Sequence, residues 1–186
     1  MRKSAVDIIE NILSARSAQP SQILDCFDAL PTADVSLLTG RWRGFEIKTG
    51  HRLDGLLEPS GWYGKLFLDP EAVHPLLFYS RDKTELYAVD PMLVPLTAPL
   101  PRSSVLGTAM TVLRPILQTR SPKARLRMIE YRGRSTATMA YDSKAIFDHF
   151  VRIDERRVLG IMDLKGMPGP YAFCLERDDT DMKVRI

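Results

Sequence analysis

The sequence predicts a mainly β protein, an antiparallel β-barrel preceded by a helical hairpin. Three observations carry this. The last third of the chain holds five short extended runs, "RLRMIEYRG", "RSTATMAYD", "AIFDHFVRID", "RVLGIMDLKG" and "PYAFCLER", joined by short turn-forming connections. Short strands linked in this way form an antiparallel meander. Residues 40–49 alternate, with Trp42, Gly44, Glu46 and Lys48 on one face and Arg43, Phe45 and Ile47 on the other. Residues 1–31 instead repeat at helical spacing. An isolated tryptophan strand would leave an exposed edge, so it is expected to join the meander and close it.

In chain order, residues 4–16 form an amphipathic helix capped by Ser4, with Ile8, Ile9, Ile12 and Leu13 on one side. Pro20 opens a second helix striped by Ile23, Leu24, Phe27 and Leu30, and Pro31 stops it. The glycine-punctuated "KTGHRLDGLLEPSGWYGK" reads as turns around short extended pieces. "FLDPEAVHPLLFYS" reads as a turn of helix followed by a strand, and the prolines after "TELYAVD" exclude a central strand there. "SSVLGTAMTVLRPILQTRSP" has helical spacing through Val105, Ala109, Val112, Leu113 and Ile116, weakened by Gly107 and Pro115. The expected organisation is one domain, 1–186. Within it lie the helical hairpin (1–31), a tryptophan-containing region (35–90) and the C-terminal meander (123–180).

Composition narrows the function classes. Apolar residues make up 45% and charged residues 26% of the 186 positions, a globular balance that leaves enough chain for a core or a ligand cavity. A net charge of +3, with scattered basic residues, falls short of a nucleic-acid footprint. Cys26 and Cys174 have no metal or redox spacing and sit in apolar surroundings, which fits buried thiols in a cytoplasmic protein. Asp7, Glu10 and Asn11 interrupt the N-terminal apolar positions, so no signal-peptide core is expected, and no run is long enough for a membrane span. Metal binding is not expected from three dispersed histidines, and phosphate-loop, dinucleotide and serine-elbow motifs are absent.

The segment "LTGRWRGFEIKTGH" seats Trp42 between Gly40 and Gly44. A G-x-W on the first strand of a small barrel resembles the lipocalin-like calycins, in which the tryptophan plugs the closed end under a basic residue from the final strand. That resemblance implies a structural Trp42 with Arg177 across its ring. "GRWRG", "GHRLDGLLEPSGWYGKLF" and "VHPLLF" together resemble the GXWXG-domain proteins. "LRMIEYRG", "STATMAYDSKAIFDHF" and "VLGIMDLKG…PYAFCLER" resemble the domain of unknown function that accompanies GXWXG. The resemblance brings little function, because the family is chiefly described by its sequence. "GRWRG" is also similar to nitrobindin-like haem barrels. Those carry a haem-ligating histidine near the C-terminus, and none follows His149 here, so haem and other cofactors are not expected.

Two groups of residues are candidates for chemistry. His51 and Asp54 lie in a glycine-rich loop near Trp62, Tyr63 and Lys65, and His74 follows. They could supply acid–base groups at a barrel mouth, or merely cap turns and face water. On the meander, Ile146, Asp148, Phe150 and Arg152 share one face; Phe147, His149, Val151 and Ile153 share the other; Asp163 aligns with Leu159, Ile161 and Lys165. A buried carboxylate needs a partner. Either Asp148–Arg152 or Asp163–Lys165 pair along a strand, or a carboxylate with a shifted pKa stands in an apolar cavity. Tyr131, Met139 and Tyr141 are cavity lining or core.

The expected site is one enclosed pocket between "GHRLDG", "GWYGK" and the inward face of the meander, its volume left open by Ala137, Ala140, Gly160 and Ala172. His51, Tyr63 and His149 are expected to hydrogen-bond the ligand, with Asp54 or Asp148 as the orienting carboxylate. Trp62 and Tyr131 are expected as walls, with Lys65 and Asp163 among the contacts. The first function expected is binding of a small apolar or aromatic molecule. A cofactor-independent isomerase or lyase, using His51, Asp54, Tyr63, Asp148 or His149, is the alternative. A third reading is a partner-binding protein whose barrel is filled by its own side chains. Nucleic acid and membrane are not expected partners, and a homodimer is left open.

Overall fold

The computed structural model describes residues 5–96, 98 and 100–186. Ser4, the expected cap, lies outside the described residues. Helix α1 (Ala5–Ala15) buries Ile9, Ile12 and Leu13. Helix α2 (Pro20–Ala29) starts with Pro20 in its first turn, where the missing N–H costs nothing, and ends at Leu30, which Pro31 forces into extended conformation. The apolar stripes of both helices pack outside the barrel, on Ile47, Val151, Leu159, Ile161, Ala172 and Cys174. Both cysteines are free and buried in this layer.

A short helix, α3 (Val35–Leu38), leads into β1 (Gly40–Ile47). Next come α4 (Leu57–Ser60), β2 (Trp62–Asp69), β3 (Ala72–Tyr79) and β4 (Glu85–Val89). Helix α5 (Ser104–Leu117) and β5 (Gln118–Thr119) precede the meander. Its strands are β6 (Ala124–Tyr131), β7 (Arg134–Tyr141), β8 (Ile146–Arg152), β9 (Arg157–Leu164) and β10 (Met167–Arg177), followed by β11 (Lys183–Arg185).

Strands β3-β2-β1-β10-β9-β8-β7-β6 are neighbours in that order, and β3 meets β6 through Val73 and Ala124, which closes an eight-stranded antiparallel barrel. The seam is short. It is reinforced by Lys123 N–H donating to Val73 O (2.9 Å) and Leu126 N–H to Pro70 O (2.7 Å). The far half of β3 leaves the barrel to pair with β4, whose other edge is covered by β11, in parallel, and by β5. None of the described helices is long and apolar enough to cross a membrane.

Two elements differ from the sequence reading. Pro70 and Glu71 make a tight β2–β3 turn, not a turn of helix: Asp69 Oδ1 accepts from the N–H groups of Glu71 (2.7 Å) and Ala72 (2.9 Å). Pro75 then lies inside β3, where the register slips between Gly64–Leu77 and Leu66–His74. That bulge accommodates a residue without an N–H. Helix α5 runs through Gly107 and Pro115 but buries Leu106, Met110 and Leu117, leaving Val105, Val112, Leu113 and Ile116 exposed. Its sequence is apolar on both sides, and contact decides the face. A Cβ on Gly107 would lie 2.7 Å from Pro59 O, so this glycine lets α5 settle against the end of α4.

Candidate functional site

The tryptophan motif builds the closed end. Trp42 is fully buried, its indole N–H donates to Leu38 O (2.7 Å), and the Arg177 guanidinium lies 4.5 Å over its ring. Arg177 also donates to Leu37 O (2.5 Å) and Thr39 O (2.8 Å), tying the last barrel strand to the α3 segment. Gly40 adopts φ +115°, which side-chain-bearing residues rarely do. Gly44 has a different reason: its missing Cβ would stand 2.1 Å from the Trp62 ring. The second glycine of the motif is the seat on which a second tryptophan leans into the barrel.

Trp62 forms one wall of an internal cavity of about 90 Å³. Phe173 meets Trp62 edge-on (6.1 Å between ring centres), and Leu76, Ile146 and Met162 complete the apolar walls. Lys65 and Asp148 are the charged pair set among them. Lys65 Nζ is 2.8 Å from Asp148 Oδ2, and the two side chains are 3% and 2% exposed, so solvent screens the pair little. The Pro75 carbonyl, freed from the strand ladder, accepts from Lys65 Nζ (3.2 Å). The ammonium also lies 5.0 Å from the centre of the Phe173 ring and 5.8 Å from those of Trp62 and Tyr141. Tyr141 Oη donates to Asp148 Oδ2 at 3.5 Å. Burial pushes the Asp148 carboxyl up, against the pull of the Lys65 ammonium, and pushes the Tyr141 phenol well up. Asp148 Oδ1 and Trp62 Nε1 are buried without a hydrogen-bond partner in the protein.

On the loop side the cavity is lined by Leu53, Leu56 and Leu57 from the β1–β2 connection and by Pro91, Val94 and Leu96 after β4, which border its mouth. Asp54 shapes the first of these, its Oδ2 accepting from the N–H groups of Thr49, Gly50 and His51 at 2.9, 2.7 and 3.0 Å. Buried Glu46 takes the N–H of Gly55 and the Tyr171 hydroxyl, both at 2.6 Å. Its carboxyl is raised chiefly by burial. Arg102 clasps the loop from outside, donating to Asp54 O (2.7 Å) and Arg52 O (2.5 Å).

The structure therefore brings Trp62, Lys65 and Asp148 together and puts the other candidates elsewhere. His51 lies beside the mouth, its Nδ1 accepting from Leu53 N–H (3.2 Å), and Asp54 is the turn cap. Tyr63 points out of the barrel, bonded to Asp178 and edge-on to Tyr79. Tyr131 and His149 stack on the outer face at 3.9 Å, with Thr138 Oγ1 2.8 Å from His149 Nδ1. Asp163 is exposed on that same outer side. Strand alternation explains His149: when Asp148 faces in, His149 must face out. On β2 the register shifts around Gly64, so Tyr63 and Lys65 face opposite sides although they are two residues apart. Arg152 pairs with Glu155 (3.1 Å) instead of Asp148. Nor are all the small residues voids. The Phe173 ring fills the space beside Gly160, and Ala172 packs under the helices. Sequence reading missed Glu46 with Tyr171, although Glu46 shares the Trp42 face, and the Pro75 carbonyl, which has no residue-type signature. No metal-holding cluster of His, Cys, Asp and Glu occurs among the described residues.

Fold and site define a small closed antiparallel barrel with an internal, mainly apolar cavity. The family model described as GXWXG protein matches residues 25–83, and that of a domain of unknown function, DUF4334, matches residues 122–177. The chain thus carries a match to the GXWXG region followed by a match to this domain. A crystal structure of a protein from Thermomonospora curvata is similar over 94% of this chain and 98% of that one, with 29% identity and a TM-score of 0.71. No curated protein matches the chain.

Proposed function

We propose that the barrel binds a small, mainly apolar molecule, aromatic or aliphatic, in its internal cavity. The observation that carries this is the Lys65–Asp148 pair enclosed by Trp62, Tyr141 and Phe173. Replacing a buried ion pair by well-packed apolar residues is often neutral or stabilising, so stability alone does not account for one here. A few polar groups in an apolar cavity are what orients a small ligand. The volume of about 90 Å³ is several times the ~10–15 Å³ that admits one water, and below the ~150 Å³ of a cavity that takes benzene. By that measure a small aliphatic molecule fits as the cavity stands, and a single ring enters only if the leucine-lined mouth yields. Of the residues expected for an isomerase or lyase only Asp148 lines the cavity, beside Lys65, Tyr141, Lys144 and Tyr171; His51, Asp54, His149 and Tyr63 do not.

The test is native mass spectrometry of freshly purified protein beside a Leu76→Trp variant, which fills the cavity from β3. Binding inside the barrel gives a co-purifying small molecule, or an adduct with added small aromatics, that the variant loses while keeping its fold. Equal adducts on both proteins, or none on either, would refute the reading.

A further inference from the structure

We infer that the cavity selects a neutral ligand carrying a hydroxyl, an apolar alcohol or phenol, over carboxylates and ammonium compounds of the same shape. This rests on the cavity-binding reading above and adds the class of head group. The first support is charge. Lys65 and Asp148 neutralise each other at 2.8 Å in surroundings almost closed to solvent. A ligand carboxylate at this end would stand beside Asp148, and an ammonium would stand beside Lys65. Either would be a third buried charge without a partner of its own.

The second support is hydrogen-bonding capacity. Asp148 Oδ1 needs a donor and Trp62 Nε1 needs an acceptor, and both residues line the cavity. A hydroxyl can do either. A ketone or ether offers nothing to Asp148, and an ammonium offers nothing to Trp62. The apolar body of such a ligand is received by the Leu76, Met162 and Phe173 walls. One further cation lines the cavity. Lys144 donates to Val94 O (3.0 Å) at the mouth, where a carboxylate could be held with its apolar end inward. The competing arrangement is thus a mouth-anchored acid, and it makes the opposite prediction.

The experiment is calorimetric titration of the full chain with four ligands of matched shape: p-cresol, toluene, 4-methylbenzoate and 4-methylbenzylamine. The expected result is that p-cresol binds about tenfold or more tighter than toluene, the gain of a hydrogen bond to a charged group, and that both charged compounds bind weaker than toluene. Toluene binding as tightly as p-cresol would leave the cavity-binding reading standing and overturn the hydroxyl preference. So would 4-methylbenzoate or 4-methylbenzylamine binding tightest. Failure of all four to bind would overturn both. Asp148→Asn, which leaves Lys65 as the unmatched charge, should invert the order so that 4-methylbenzoate exceeds p-cresol. Trp62→Phe, which keeps an aromatic wall, should shrink the p-cresol advantage; an unchanged order in both folded variants would contradict the assignment.

Discussion

At the scale of single residues, Lys65 and Asp148 form an ion pair almost closed to solvent inside the barrel. Each partner answers a charge that would otherwise be buried alone. Lys65→Met should therefore lose about 3–5 kcal/mol in urea unfolding. The double variant Lys65→Met with Asp148→Leu should recover most of that loss, since no charge is then stranded. Additive losses would show that the two side chains do not act as a pair. His149 gives a second test. Burial under Tyr131 lowers its pKa to about 4, with the Asp163 charge a smaller opposing influence. The folded ring therefore takes up its proton at lower pH than the unfolded one, whose pKa is about 6.5. Its contribution is complete above about pH 6.5, is lost as pH falls toward 4, and levels off below, for a total of at most roughly 3 kcal/mol. His51 and His74 are also lowered by burial, so the informative quantity is a difference. His149→Phe keeps a ring against Tyr131 and should flatten the stability profile between pH 6.5 and 4 relative to the parent. Parallel profiles would show that His149 takes up its proton alike in both states.

At the scale of elements, legibility followed the strength of the local pattern. The meander was readable because each strand alternates and each connection is a short turn; β6 to β10 lie where those runs lie. The β2–β3 hairpin was not, because Pro70 and Pro75 disguise a strand that is viable only through its bulge. Helix α5 was readable as a helix but not by face. Its two apolar stripes are locally equivalent, and the contact of Gly107 with Pro59 chooses between them. Two kinds of substitution check this. Val112→Lys and Ile116→Lys, at positions 70% and 69% exposed, should each change stability by no more than about 0.5 kcal/mol. Met110→Ala, on the buried side, should cost about 2–5 kcal/mol in the same chemical-denaturation assay. The reverse ranking would mean that α5 packs by the stripe its sequence spacing suggests.

At the scale of the whole molecule, the site exists only once the barrel closes. Strand periodicity told which residues share a face, and so placed Asp148 opposite to His149, but it could not tell which strands look at each other across the interior. Lys65 on β2 finds Asp148 on β8 because the β3–β6 seam bends both inner faces around one space. Tyr63 is outside for a local reason, the alternation after Trp62 and the β2 register shift around Gly64. Methionine methyl groups provide reporters on both sides of this boundary. Met162 lines the cavity, whereas Met92 and Met128 are 64% and 46% exposed. The direct measurement is a titration of protein labelled with ¹³C at its methionine methyl groups with p-cresol, followed by NMR. Binding inside the barrel requires the Met162 resonance to shift saturably at one equivalent while those of Met92 and Met128 stay in place. Movement of the exposed methyl groups with Met162 unchanged would contradict it.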